Sequence, residues 1–232
     1  MKKLISLLLG FLLCFGSMAC AQEVNDPDVW LEYPYGSFVS FVKTYLEGGE
    51  AVPAVPDSIR MFLLDYGTEA AADIGFALLD INADLDPELI FARIDSRENG
   101  VCTGSDIIAV YSLQGLSPFI MLEGSARNRY ALLPEARIYN EGSSSAYSGG
   151  CAVFSFSGEY HDTALTLVES YNYAYNDQGA VSYTFVTLDD AGELIKTSVS
   201  LTSEEYREKT SALAKGVITM TLTPVLDYVP AQ

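Results

Sequence analysis

The segment Asp80-Ile-Asn-Ala-Asp-Leu-Asp-Pro-Glu-Leu-Ile-Phe91 carries a side-chain oxygen at every second residue: Asp80, Asn82, Asp84, Asp86 and Glu88. Apolar runs flank it, Gly75-Phe-Ala-Leu-Leu79 before and Leu89-Ile-Phe-Ala92 after. Short apolar runs separated by a polar turn predict two strands joined by a loop. Alternating oxygens on such a loop converge on one point, where a hard cation such as calcium is the usual occupant. The five residues are therefore the candidate metal ligands.

Upstream of this segment the pattern is helical. Ser37 is positioned to cap a helix with Phe38, Phe41, Val42, Tyr45 and Leu46 on one face, and Gly48-Gly49 ends it. Ala51-Val-Pro-Ala-Val-Pro56 reads as a stiff connector. Asp57 or Ser58 then caps a second short helix carrying Ile59, Phe62 and Leu63. Downstream, strand patterns recur near 75–80, 89–94, 106–112, 118–123, 129–133, 136–140, 151–157, 164–174 and 181–188. Turn signals separate them at Glu98-Asn-Gly100, Gln114-Gly115, Pro134-Glu135, Asn140 to Gly150, Gly158-Glu159 and Asn176-Asp-Gln-Gly179. Short turns between successive strands predict antiparallel pairing. Thr202-Ser-Glu-Glu205 is a capping-box pattern that opens a late helix, with Tyr206 and Leu213 on its apolar side. A last strand is expected over 217–223. The fold class is α+β: a helical start, an antiparallel meander of about nine strands that is partly blade-like over 75–123, and a late helix.

The N-terminus reads as an export signal. Lys2 and Lys3 precede the apolar stretch from Leu4 to Phe15, and Ala19-Cys20-Ala21 fits cleavage after Ala21. That stretch is too short to span a bilayer comfortably, and no later run matches it, so no transmembrane helix is expected in the mature chain. Cys20, preceded by Ser17-Met18-Ala19, also resembles the lipoprotein box of bacteria, although Ser17 stands where a leucine-like residue is usual. Secretion and lipid anchoring at Cys20 both remain open, and both place the protein outside the cytoplasm. The division that follows is 1–21 signal, 22–56 leader, helix and linker, and 57–232 a single β-rich domain.

The chain has 13 basic and 31 acidic residues. Losing residues 1–21 leaves 11 basic residues against the same 31 acids, a net charge of −20. Such a surface disfavours nucleic acid and anionic membranes and attracts divalent cations. Fifteen tyrosines against one tryptophan suit half-exposed strand faces, and also a glycan- or peptide-binding face. Cys102 and Cys151 remain after export, and an oxidising compartment predicts one bridge between them.

The acidic segment resembles the calcium loops of FG-GAP and VCBS-type propeller blades. It is also similar to the Asp-x-Asp-x-Asp-Gly-x-Pro-Glu-Leu segment of exported proteins and lipoproteins of gut bacteria. Asp80, Asn82, Asp84, Pro87, Glu88 and Leu89 carry the resemblance, and Leu122-Glu-Gly-Ser-Ala-Arg127 and Ile138-Tyr-Asn-Glu-Gly142 extend it. It implies a calcium ion in the extracellular affinity range and an export-associated role. One position departs: the sixth, where these loops place glycine in a positive-φ turn, is Leu85. Phe91 at the twelfth also removes the bidentate glutamate of an EF-hand.

Other chemistry is sparse. His161 is the only histidine, which leaves zinc short of ligands and gives a hydrolase triad a single candidate base. No phosphate-cradling glycine loop, His-Glu-x-x-His or Cys-x-x-Cys occurs. The loop Asn140 to Gly150 suits either a hairpin connection or a binding loop, with Glu123, Arg127, Arg129 and Glu141 as an ion-pair cluster beside it. The leading expectation is an exported, calcium-stabilised binding or interaction domain whose partner is an extracellular glycan or protein. The alternatives are an extracellular hydrolase of glycan or peptide, with catalytic residues unassigned, and a structural envelope protein with a vestigial loop.

Overall fold

A computed structural model describes residues 34–49, 55–82, 84–157, 164–188 and 194–230. The export signal, Cys20, the connector residues Ala51 to Ala54, Ala83 and His161 lie outside the described residues. Helices α1 (Tyr35–Leu46) and α2 (Asp57–Tyr66) and a 3-10 turn (Thr68–Asp73) precede the strands. The strands are β1 (Ile74–Leu79), β2 (Glu88–Arg93), β3 (Ser96–Glu98), β4 (Val101–Gly104), β5 (Ile107–Gln114), β6 (Ser117–Glu123), β7 (Asn128–Leu133), β8 (Arg137–Ser145), β9 (Ser148–Ser157), β10 (Ala164–Tyr175), β11 (Val181–Leu188) and β12 (Leu194–Leu201). Helix α3 (Ser203–Lys215) and strand β13 (Met220–Pro224) complete the order. The α+β class stands.

Among the described residues the strands form one sheet of 13, in the order β12-β11-β10-β9-β8-β7-β5-β2-β1-β13-β4-β3, with β6 on β5. From β7 to β12 it is a simple meander. At the other end β13, from the C-terminus, pairs with both β1 and β4. Strands β1, β2, β5 and β6 make a four-stranded antiparallel run over 74–123, from which the β3–β4 hairpin departs.

Both faces of β1, β2 and β5 are covered, so these strands are apolar at nearly every position rather than alternating. On one face Ile74, Phe76, Leu89, Phe91, Ala109 and Tyr111 meet Tyr35, Phe38, Val39 and Val42 of α1 and Ile59 of α2. The Phe38 ring lies 4.5 Å from Tyr111 and 6.1 Å from Phe91. On the other face Ile90, Ala92, Val110, Met220 and Leu222 meet Leu132 and Ile138, with Phe154, Phe156 and Leu165 packed alongside. The β7–β10 layer thus folds its lower end back over the sheet that precedes it. Each fully buried Leu, Ile or Phe contributes about 1.5–3 kcal/mol.

Several local expectations change. Helix α1 begins at Tyr35 after Pro34, with no side-chain cap, so Ser37 is an interior residue. Phe41 is half exposed, and Tyr35 and Val39 are buried instead. Ser58 lies inside α2 and donates from its N–H and its hydroxyl to Glu123 Oε1, each at 3.2 Å. Asn140 to Gly150 is mostly ladder, because β8 runs to Ser145 and β9 restarts at Ser148. The Gly/Ser composition suggested a loop, but backbone pairing across Gly142 and Gly150 overrides it. Strands β3, β4 and β12 raise the count above nine.

The late helix follows its capping box. Thr202 accepts from Glu205 N–H, and Glu205 accepts from Thr202 N–H at 2.8 Å. Cys102 and Cys151 are free thiols, not a bridge. Cys102 sits on β4 and Cys151 on β9, with β8, β7, β5, β2, β1 and β13 between them in the sheet. A disulfide needs Cα atoms within about 7 Å, and the two strands are not neighbours in the sheet.

Candidate metal centre

Residues 80–88 join β1 to β2, which pair in register from Leu79↔Glu88 to Ile74↔Arg93. The loop is therefore clamped at its mouth by the first rung of a two-stranded ladder. Within it the side chains turn back onto the backbone. Asp80 Oδ2 accepts from the Leu85 N–H (3.1 Å), Asn82 Oδ1 from the Asp84 N–H (3.1 Å) and Asp84 Oδ1 from the Asp86 N–H (2.9 Å). Asp and Asn favour such short-range acceptance, which replaces the ladder bonds that the turn forfeits.

Leu85 takes φ = 79°. It is the sixth residue of the loop counted from Asp80. Its side chain is 66% exposed, so no packing offsets the strained backbone. The Asp80 carboxylate holds the N–H of that residue, and the loop imposes the conformation on leucine.

Glu88 differs from its neighbours. Its side chain is fully buried. Oε2 accepts from the Ile81 N–H (3.0 Å), and Oε1 accepts from Ser112 Oγ and Asn82 Nδ2 (3.1 Å each). All three donors are neutral. Burial raises its pKa to about 7, the negative charges of Asp84 and Asp80 push the same way, and the Ile81 and Ser112 bonds oppose. A buried carboxylate without a cationic partner is costly. The base of the loop is in turn tied to α1: the Tyr35 hydroxyl, buried and held protonated by that burial, lies 3.1 Å from Pro87 O and 3.3 Å from Tyr111 O.

The donors Asp80, Asn82, Asp84, Asp86 and Glu88 are hard oxygens, as calcium requires. Their arrangement is nevertheless closed on itself. Asn82 Nδ2 bridges Asp84 Oδ2 (2.9 Å) and Glu88 Oε1 (3.1 Å), standing between two carboxylates where a cation would stand. Among the described residues no three carboxylate, thiol or imidazole groups sit close enough together to hold a metal ion. Ser112 and Tyr35 were not foreseen. The only trace of Ser112 is one small polar residue in the run Ile107-Ile-Ala-Val-Tyr-Ser-Leu113.

The second expected cluster does not assemble as a unit. Arg129 pairs with Asp106 (3.2 Å), Glu123 turns to Ser58 of α2, and Glu141 lies across the ladder from Arg129. No family description matches the chain, and no curated protein or solved structure is significantly similar to it.

Proposed function

We propose that the protein is an exported binding domain whose 80–88 loop holds one calcium ion that stabilises the fold. The supporting observation is the loop backbone: Leu85 stands in the left-handed region at the sixth position, with Asp80 gripping its N–H. A leucine has no intrinsic reason to adopt that conformation, whose cost is about 1–2 kcal/mol. Asp80 thereby engages Oδ2 and keeps Oδ1 for a ligand. Asp80, Asn82, Asp84, Asp86 and Glu88 would hold the ion. Its charge would supply what the buried Glu88 lacks, a cationic partner in place of the Asn82 amide nitrogen.

Export is supported by the basic start, apolar core and small residues of 1–21. Intact mass of the exported species separates the two routes, a chain beginning at Gln22 or a diacylated Cys20.

The rival reading is an acidic turn satisfied by its own hydrogen bonds, and the Asn82 bridge favours it. Calorimetric titration decides. The calcium reading expects one site with a dissociation constant of about 0.1–1 mM, lost in Asp80→Ala and Asp84→Ala. The absence of heat with the unmodified protein establishes the acidic turn.

A further inference from the structure

None of the residues of helix α3 is buried. Tyr206 anchors it, 4.8 Å from the Tyr183 ring and 6.3 Å from the Tyr173 ring. Between the helix and strands β8–β10 lies an open groove of about 560 Å³, floored by Tyr139, Glu141 and Cys151 and walled by Tyr173, Tyr206 and Thr210. A hollow of about 210 Å³ beside it shares Arg129, Tyr139 and Glu141. The volume of the larger groove falls in the range of small-molecule sites.

The groove is built by its cross-strand pairs. Tyr173 pairs with Gly149 and Tyr171 with Cys151. A Cβ at Gly149 would stand 3.0 Å from the Tyr173 hydroxyl oxygen, so glycine is what lets that ring lie across β9. The Tyr139 and Tyr206 hydroxyls are partly desolvated, which raises their pKa, to about 12 for Tyr206, and keeps them protonated donors. At the rim the Arg127 carbonyl accepts from the Ser143 N–H, while its guanidinium makes no hydrogen bond or ion pair among the described residues, although the chain is strongly acidic.

We propose that this groove binds an oligosaccharide; the inference rests on the binding-domain reading and gives it a ligand class. Strands β8, β9 and β10 are interior to the sheet, with their backbone groups committed to the ladder. A peptide main chain would find no free edge to pair with. What the groove offers is phenol, hydroxyl, carboxylate and guanidinium groups beside aromatic rings. A sugar uses that combination, with hydroxyls for the polar groups and an apolar C–H face for the rings.

The test is calorimetric titration of the mature protein with cellohexaose, xylohexaose, maltohexaose and a hexagalacturonate, each in chelator and in calcium. At least one should bind with a dissociation constant of about 1 mM or tighter. Tyr206→Ala and Tyr173→Ala should weaken it at least about tenfold. Tyr206→Phe, which keeps the ring, should stay within about threefold. Tyr147→Ala, at the 70% exposed hairpin tip outside the groove, should change nothing. Failure of all four sugars overturns the proposal, as does a loss in Tyr147→Ala equal to that in Tyr206→Ala. A tyrosine-rich peptide pool that binds where every sugar fails also overturns it, while leaving the binding-domain reading intact. Binding in chelator separates the groove from the calcium loop.

Discussion

At the residue scale, Leu85 and Glu88 carry the account. Leu85 is a branched, exposed side chain at φ = 79°. Leu85→Gly should raise stability by about 1 kcal/mol, read as a shift in the denaturant midpoint at constant slope. Glu88 titrates near 7 when folded, against about 4.3 in an unfolded chain. The sign follows from the raised value: its contribution is full below about pH 4.3 and is lost as pH climbs through 7. In chelator the protein should therefore lose on the order of 3 kcal/mol across that window, and Glu88→Gln should flatten the profile. A profile that rises from pH 5 to 7 at this site would contradict the burial. The strained sixth position was expected from the resemblance to calcium loops with glycine there, the alternating oxygens supplying only the numbering. The Asn82 bridge was not, because which amide atom faces two carboxylates depends on side-chain packing that spacing does not encode.

Among the elements, α3 is held by its cap and by aromatic contacts rather than by burial, since none of its residues is buried. Thr202→Ala should remove the side-chain half of the capping box, leaving the residue-202 N–H free to donate to Glu205, and cost about 1 kcal/mol. The loss should appear in hydrogen exchange of the first turn before it appears in global unfolding. This helix was legible to its first residue, because a capping box is a local signal. Strands β3 and β4 were not: Ser96–Glu98 and Val101–Gly104 are short and polar, and only the Asn99-Gly100 turn, both residues at positive φ, marks the hairpin. The β8–β9 hairpin was hidden by its glycines and serines. There, pairing with β7 and β10 supplies what local composition withholds.

At the scale of the whole molecule, two cores lie on opposite faces of one sheet, and β1 and β2 contribute to both. Phe91→Ala, in the core under α1, should cost about 3–5 kcal/mol and lower the midpoint of a single transition. Cys102 and Cys151 are both free thiols. Titration of the unfolded, unreduced chain should find both, and in the folded state Cys151 should alkylate slowly, because burial lifts its thiol to about 11. The meander was legible because its turns are local. The insertion of β13 between β1 and β4 was not, since no short-range signal tells a C-terminal strand where it will pair.

The claim that joins these scales is that calcium in the 80–88 loop stabilises the whole fold, and thermal unfolding of the mature protein tests it most directly. With a dissociation constant of about 0.1 mM, 1 mM calcium should add about 1.4 kcal/mol. That corresponds to a rise of about 3–5 °C in the midpoint for a domain of this size. Magnesium should do less, and Asp84→Ala should abolish the rise. An identical midpoint in chelator and in about 5 mM calcium would contradict the account and leave residues 80–88 an acidic turn.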